Sequence, residues 1–171
     1  FLRERYLSKE PTISTFVRIT AGKAKNFKIE IPRNTRPLTD RMKVRIFDVL
    51  GSDIANKSIL DLYAGAGSFA LEALSRGAKE ATLVDASKQG NIIMQRNVAH
   101  TGFLPQADVV KSKVEDFIQK YKDSDKTWDI IFMDPPYKLY NTKRVEKMER
   151  IINDASSLLP GVKNPKTKKF K

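Results

Sequence analysis

The chain contains no cysteine. That absence excludes disulfides, Cys-ligated zinc and any thiolate nucleophile, including the cysteine adduct through which pyrimidine carbon atoms are methylated. It also fits a reducing compartment. There is one histidine, His100, so a Ser-His-Asp triad or a multi-histidine metal site would rest entirely on it; its position reads instead as a helix end. No apolar run approaches the ~20 residues of a membrane span, and Glu4 and Glu10 interrupt the basic N-terminus where a targeting segment would stay positive. A soluble, cytoplasmic protein without metal or membrane is expected.

Acid is the other scarcity. The 171 residues hold 20 Asp and Glu against 32 Lys and Arg, a net charge of +12. Residues 1–50 carry +7, residues 51–137 carry −2 and residues 138–171 carry +7. A nearly neutral centre between two basic flanks is the distribution expected of a pocket whose surroundings meet a polyanion. The alternative is a merely solvated surface. The length suits one domain with a proper core.

Along the chain, residues 1–14 show no strong period and form an arm. Residues 15–20 and 27–31 alternate apolar and polar side chains around Ala21-Gly-Lys-Ala-Lys-Asn26, predicting a hairpin tipped by Lys23 and Lys25, with Lys28 beside them. Thr39 can cap a helix that runs to Leu50, with Val44, Phe47 and Leu50 on one face and Gly51 closing it. Strands at 58–62, 80–85, 107–111 and 128–133 then alternate with helices at 67–76, 87–100, 114–121 and near 141–153. This order predicts an α/β, Rossmann-like, doubly wound and mainly parallel sheet, with the N-terminal hairpin added. Its division would be an arm and hairpin over 1–35 and a larger unit over 36–171. Four strands leave two bare edges, a liability. Either further strands lie outside this sequence, or residues are missing within it, or Val162 and its neighbours belong to another strand; a first residue of Phe rather than Met also points to incomplete coverage.

Two motifs fall where ligands bind such sheets, at the strand C-terminal ends. Asp61-Leu-Tyr63-Ala-Gly65-Ala-Gly67 is a strand giving way to a glycine loop and a helix, a setting in which backbone can approach a nucleotide-like ligand. Asp85 ends the next strand 18 positions past Gly67, near the spacing at which a carboxylate reaches ribose hydroxyls. The loop also satisfies Gly-x-Gly-x-x-Ala, so an NAD-binding domain competes; Asp61, inside the preceding strand, favours a ligand bearing an amino group. Tyr63 lines the same pocket or simply packs. The second motif is Asp134-Pro135-Pro136-Tyr137, an acceptor-rich stiff turn ending in an aromatic ring. It is either strand punctuation or a clamp for a planar exocyclic amine, with Tyr137 stacking a base. The glycine loop and Asp85 favour the clamp.

These residues resemble the S-adenosylmethionine-dependent guanine-N2 methyltransferases of bacterial small-subunit ribosomal RNA. The likeness runs from about Arg18 to about Asp154 and includes the hairpin, Arg36-Pro-Leu-Thr-Asp-Arg41, the glycine loop, Leu71-Glu-Ala-Leu-Ser-Arg-Gly77 and the Asp134 turn. It implies that Asp61, Gly65 and Gly67 hold the methionine end of S-adenosylmethionine and Asp85 its ribose, with Val114 also in the cofactor site. Arg36, Thr39 and Arg41 would close over cofactor or substrate, while Asp134, Pro135 and Tyr137 hold the target amine and Pro136 and the hairpin lysines contact RNA. It further implies a monomer acting on ribosomal RNA, within a small-subunit assembly particle. One departure stands out: Lys113 occupies a position where the family offers an aspartate to the adenine amine, and lysine has no acceptor. Adenine-N6 or other amine methylation, glutamine methylation and a catalytically idle RNA-binding module are the alternatives within this fold.

Overall fold

A computed structural model describes residues 11–33, 35–136, 138 and 144–162. Strands β1 (Ile13–Arg18) and β2 (Lys28–Pro32) pair antiparallel as the expected hairpin. Each strand is offset by a residue or two from the sequence expectation. Ile19 and Phe27 belong to the turn, where the Ile19 N–H donates to the Phe27 carbonyl (3.0 Å) and the Asn26 N–H to the Ile19 carbonyl (2.8 Å).

Helix α1 (Asp40–Leu50) starts where Thr39 accepts the Met42 N–H (3.3 Å) and stops at Gly51, with a 3-10 turn over Gly51–Ile54 that the sequence pattern did not signal. Then come β3 (Ser58–Leu62), α2 (Ser68–Ser75), β4 (Glu80–Asp85), α3 (Lys88–His100), β5 (Ala107–Lys111), α4 (Val114–Tyr121), β6 (Ile130–Met133) and α5 (Val145–Ser156). The sheet order is β5-β4-β3-β6, all pairs parallel, so the expected α/β architecture is present.

Three details differ from expectation. Trp128 is not in β6; its N–H donates to the Leu158 carbonyl (2.9 Å) and its indole N–H to Thr82 Oγ1 (3.1 Å), which draws it out of the ladder. The last helix runs to Ser156, and the expected start at 141–143 lies outside the described residues. Val162 is in no strand: it is 47% exposed, and its N–H turns back to the Leu159 carbonyl (3.4 Å).

Alternation along β3 divides the core into two layers. Ile59 faces a cluster that includes Ile19 and Ile29 of the hairpin, Phe47 of α1, Leu71 and Leu74 of α2, and Met94 and Val98 of α3. Leu60 and Leu62 face the opposite cluster with Phe117 and Ile118 of α4, Met148 and Ile151 of α5, and Trp128. The helices after β3 and β4 thus cover one face, and those after β5 and β6 the other. The reversal falls between β3 and β6, the switch point at which doubly wound sheets open a crevice.

A buried polar hub fastens the hairpin and α1 to α2. Glu72, fully buried, accepts from the Thr20 backbone N–H (3.0 Å), the Thr20 hydroxyl and Arg76 (3.2 Å), and lies 3.8 Å from the Lys43 ammonium. Lys43 is also fully buried and donates to the Arg18 carbonyl. This corrects the expected apolar face of α1. Phe47 is buried, but Lys43 takes the place expected of Val44, which is 38% exposed. The reason is that the ammonium finds one acceptor, the Arg18 carbonyl, and two carboxylates, Glu72 and Asp40, each 3.8 Å away, at the end of a stem that packs as hydrocarbon. Burial still pulls the Lys43 pKa below its ordinary value, against the opposing pull of Glu72 and Asp40.

The hairpin turn closes on the C-terminal end of α2: the Lys23 N–H donates to the Ser75 carbonyl (2.8 Å), and Ser75 Oγ bridges the Ala24 N–H and the Ala21 carbonyl. Gly22 has φ +83°, and a Cβ there would lie 1.8 Å from the Ser75 carbonyl oxygen. Gly22→Ala should therefore destabilise the fold by more than about 2 kcal/mol, because it adds left-handed strain to a backbone clash. Urea unfolding checks this; a loss below about 0.5 kcal/mol would show that the turn is not held there.

Candidate functional site at the strand tips

Three strands end within one residue of one another, β3 and β6 level and β4 one residue beyond. Leu62 is the last residue of β3 to pair, with Val84 on one side and Met133 on the other, so Tyr63, Asp85 and Asp134 each come one position later. Sequence-distant residues are thus set side by side along the sheet's C-terminal edge. The glycine loop leaves from the middle of that edge.

The loop is held from several directions. The Ala64 N–H donates to the Val84 carbonyl (3.0 Å), the Gly67 N–H to the Ala64 carbonyl (2.8 Å) and the Gly65 N–H to Asp85 Oδ2 (2.9 Å). Tyr63 adopts φ +62°, a left-handed backbone that a bulky residue seldom takes and that reverses the chain out of β3. Its side chain is half-buried against the α4 and α5 layer, while Gly65, at φ +58°, has Thr35 Cγ2 at 3.3 Å from where a Cβ would sit. Gly67 is more tightly enclosed. It combines φ +83° with Leu83 and Met94 only 2.8 and 3.3 Å from where a Cβ would sit, which lets α2 start directly above β4.

Asp85 is better anchored than its sequence position revealed. Besides Gly65, it accepts the Ser87 N–H on Oδ1 (2.8 Å), and Asn91 Nδ2 donates to the carbonyls of Asp85 and Ser87 (both 2.8 Å). Each carboxylate oxygen keeps a further lone pair for a ligand hydroxyl. Ser87 and Asn91 were missed at the sequence level; the Ser-x-x-Gly start of α3, with Ser87 accepting the Gly90 N–H, was the available signal.

Asp61 lies beneath the loop, 1% exposed, with Oδ2 accepting the Ala70 N–H (3.2 Å). It thereby satisfies one of the first-turn donors of α2, a helix whose Gly67 N-cap has no side chain to do so. Burial raises its pKa to about 7; the Ala70 hydrogen bond opposes the shift, and the charges of Asp85 and Asp134 add to it. Asp61, Asp85 and Asp134 are therefore electrostatically coupled at one edge, a place where a cationic group would be welcomed.

The remaining residues divide sharply. Asp134 is exposed, Pro135 buried and Pro136 exposed; Tyr137 lies outside the described residues. Thr35 touches the loop, and the exposed Arg36, Thr39 and Arg41 lead from it into α1. Val114 opens α4 after β5, but its side chain is 2% exposed and packs in the core. Of the neighbouring groups that could replace the missing aspartate at Lys113, Glu115 is engaged by Lys147 (3.0 Å), and the Lys113 carbonyl accepts from Phe117 N–H and Ser112 Oγ. Lys23, Lys25 and Lys28 are exposed but not at this edge: the turn they flank sits at the far end of α2.

The site can take a nucleoside-like ligand. Ser68 Oγ, on the first residue of α2 after the loop, is buried without a hydrogen-bond partner, as is Asn91 Oδ1. Such atoms are ones a bound polar ligand can satisfy.

The shifted Asp61 carries a pH signature. An unfolded aspartate titrates near 3.8 and the native one near 7, so between these values the native state holds the extra proton and stability falls as pH rises. Asp61→Asn should flatten that fall, by up to about 4 kcal/mol across the interval. Melting temperatures at pH 4 to 8 test it; parallel profiles for the two proteins would contradict the shift.

Comparison with known proteins places the chain. The family model described as Conserved hypothetical protein 95 matches residues 17–163. The ribosomal RNA small subunit methyltransferase D of Buchnera aphidicola subsp. Baizongia pistaciae is 31% identical over 137 residues, 78% of this chain and 67% of that protein. Its namesake from Escherichia coli K12 is 33% identical over 124 residues, 71% of this chain and 61% of that protein. This chain thus spans about two thirds of the length of such relatives. The solved structure of a hypothetical protein from Thermus thermophilus superposes with a TM-score of 0.69 at 31% identity, covering 79% of this chain and 78% of that one. The chain belongs to the Conserved hypothetical protein 95 family and is similar to these ribosomal RNA methyltransferases.

Proposed function

We propose that this chain carries an S-adenosylmethionine-dependent methyltransferase that modifies the exocyclic N2 amine of a guanine in small-subunit ribosomal RNA. The observation that carries the reading is the register of β4, β3 and β6, which sets Asp85, the glycine loop and Asp134 beside one another. The methyltransferase names of its relatives support the reaction and substrate class. The donor supplies an electrophilic methyl on a sulfonium centre. Asp61 and the Gly65–Gly67 loop hold its amino-acid end and Asp85 its ribose, with Ser68 Oγ available as a further polar contact.

The rest of the chemistry belongs to the turn. An exocyclic amine is a weak nucleophile because its lone pair is delocalised into the ring. The Asp134 carboxylate and the Pro135 carbonyl accept its two hydrogens, which favours a pyramidal nitrogen with its lone pair directed at the methyl. Fixed acceptors also stabilise the positive charge that develops on nitrogen, and alignment contributes up to ~7–11 kcal/mol in favourable cases. Asp134, exposed at the edge, then takes the proton released by the methylated amine or passes it to water. Tyr137 stacks the target base, which must be turned out of its helix for a few kcal/mol. This chemistry needs no metal.

Residues 36–171 form the methyl-transferring unit, and the arm and hairpin over 1–35 contact RNA remote from the target base. Since Lys23, Lys25 and Lys28 stand at the opposite end of the sheet, an RNA touching both must extend along the whole domain. That footprint favours folded ribosomal RNA; we further propose that a cytoplasmic monomer meets it in an assembling small-subunit particle. Among the described residues no helix is long and apolar enough to cross a membrane.

Mass spectrometry of nucleosides from ribosomal RNA of cells with and without the protein tests the substrate; loss of N2-methylguanosine is expected, and an unchanged nucleoside profile would refute it. Asp134→Ala should lower turnover at least 100-fold while donor binding survives, whereas retained turnover would remove Asp134 from the reaction. Replacing Lys23, Lys25 and Lys28 by Gln should weaken RNA binding and reduce its salt slope by about two. An unchanged slope would take the hairpin off the RNA surface.

A further inference from the structure

Asn97 sits in the middle of α3, 2% exposed, in a position where asparagine is a poor helix former. Its side-chain amide makes three hydrogen bonds. Oδ1 accepts the Glu30 N–H (2.8 Å), and Nδ2 donates to the Glu30 carbonyl (2.9 Å) and to the Ala66 carbonyl (3.0 Å). The first two bonds would suffice to dock β2 on α3, as a backbone partner would. The third is different in kind: it reaches the residue between Gly65 and Gly67, the loop assigned to the donor.

We propose that Asn97 is a positioning residue for the donor loop, fixing the Ala66 peptide and thereby joining the loop to the hairpin. The inference rests on the donor reading given above. The loop's own bonds leave this need visible. Gly65 and Gly67 are held through their N–H groups by Asp85 and the Ala64 carbonyl, and Asn97 takes the intervening Ala66 carbonyl. The peptide between Ala66 and Gly67, held at its N–H by the Ala64 carbonyl and at its carbonyl by Asn97, has one orientation to offer a ligand. Binding then needs less ordering of the backbone, which is how preorganisation raises affinity. The shared amide also makes the loop sensitive to the position of β2, on whose strand the RNA-facing Lys28 lies.

Asn97→Asp keeps the shape and the acceptor for Glu30 but withdraws both donations, while Ser75→Ala is a control that loosens the hairpin at its other end without touching the loop. S-adenosylhomocysteine titrated calorimetrically into each protein should bind N97D at least fivefold more weakly than wild type, and S75A within twofold of it. Amide hydrogen exchange at Gly65 and Gly67 in the donor-free protein should accelerate at least tenfold in N97D and remain unchanged in S75A. Equal weakening in both variants, or wild-type affinity and exchange in N97D, would overturn the proposal. If N97D does not fold, the wild-type Asn97 side-chain amide resonances decide: they should shift when S-adenosylhomocysteine is added, and their indifference would refute the role. Absence of binding by the wild type would refute the donor assignment instead, and the exchange rates would still judge the positioning.

Discussion

The pairing of Leu62 with Val84 on one side and Met133 on the other governs everything at the functional edge of this molecule. In a parallel sheet a slip of one residue moves every side chain of a strand to the opposite face. Such a slip in β6 would turn Phe132 away from Phe69 and Phe47, which it meets at centroid distances of 4.8 and 5.7 Å. It would also carry Asp134 out of line with Asp85. Core packing therefore fixes the register, and the register fixes which carboxylates meet.

Carboxylates gathered in this way repel one another, and the structure manages the repulsion unevenly. Asp85 shares its charge with the N–H groups of Gly65 and Ser87, while Asp134 remains at the exposed edge. Asp61, buried with one backbone donor, responds by holding its proton to about pH 7. That edge is thus short of positive charge. An ammonium or sulfonium group answers that shortage, which is why the arrangement favours a cationic donor over the anionic pyrophosphate that a dinucleotide would bring to the same loop.

Much of this was legible in the sequence, for identifiable reasons. Strands 58–62, 80–85 and 107–111 agree with their predicted limits because each is a short apolar run closed by a strong breaker or polar cluster, and Thr39 and Gly51 bracket α1 through ordinary capping chemistry. What escaped notice depends on tertiary partners. Lys43 looks like a surface residue until Glu72 and the Arg18 carbonyl are brought to it. Asn97 looks like an ordinary polar residue until β2 and the glycine loop arrive on either side. The hairpin lysines were correctly placed on a turn, yet nothing local could reveal that the turn would dock on Ser75, away from the strand tips.

The central claim is geometric: a methyl donor lies across the tips of β4 and β3 with its sulfur directed at the turn after β6. A crystal structure with S-adenosylmethionine bound tests it most directly. The expected result is the donor's amino-acid end over Gly65 and Gly67, its ribose hydroxyls on Asp85 and its methyl facing the Asp134 carboxylate and the Pro135 carbonyl. A methyl pointing away from Asp134, or a donor bound anywhere other than the glycine loop, would contradict it.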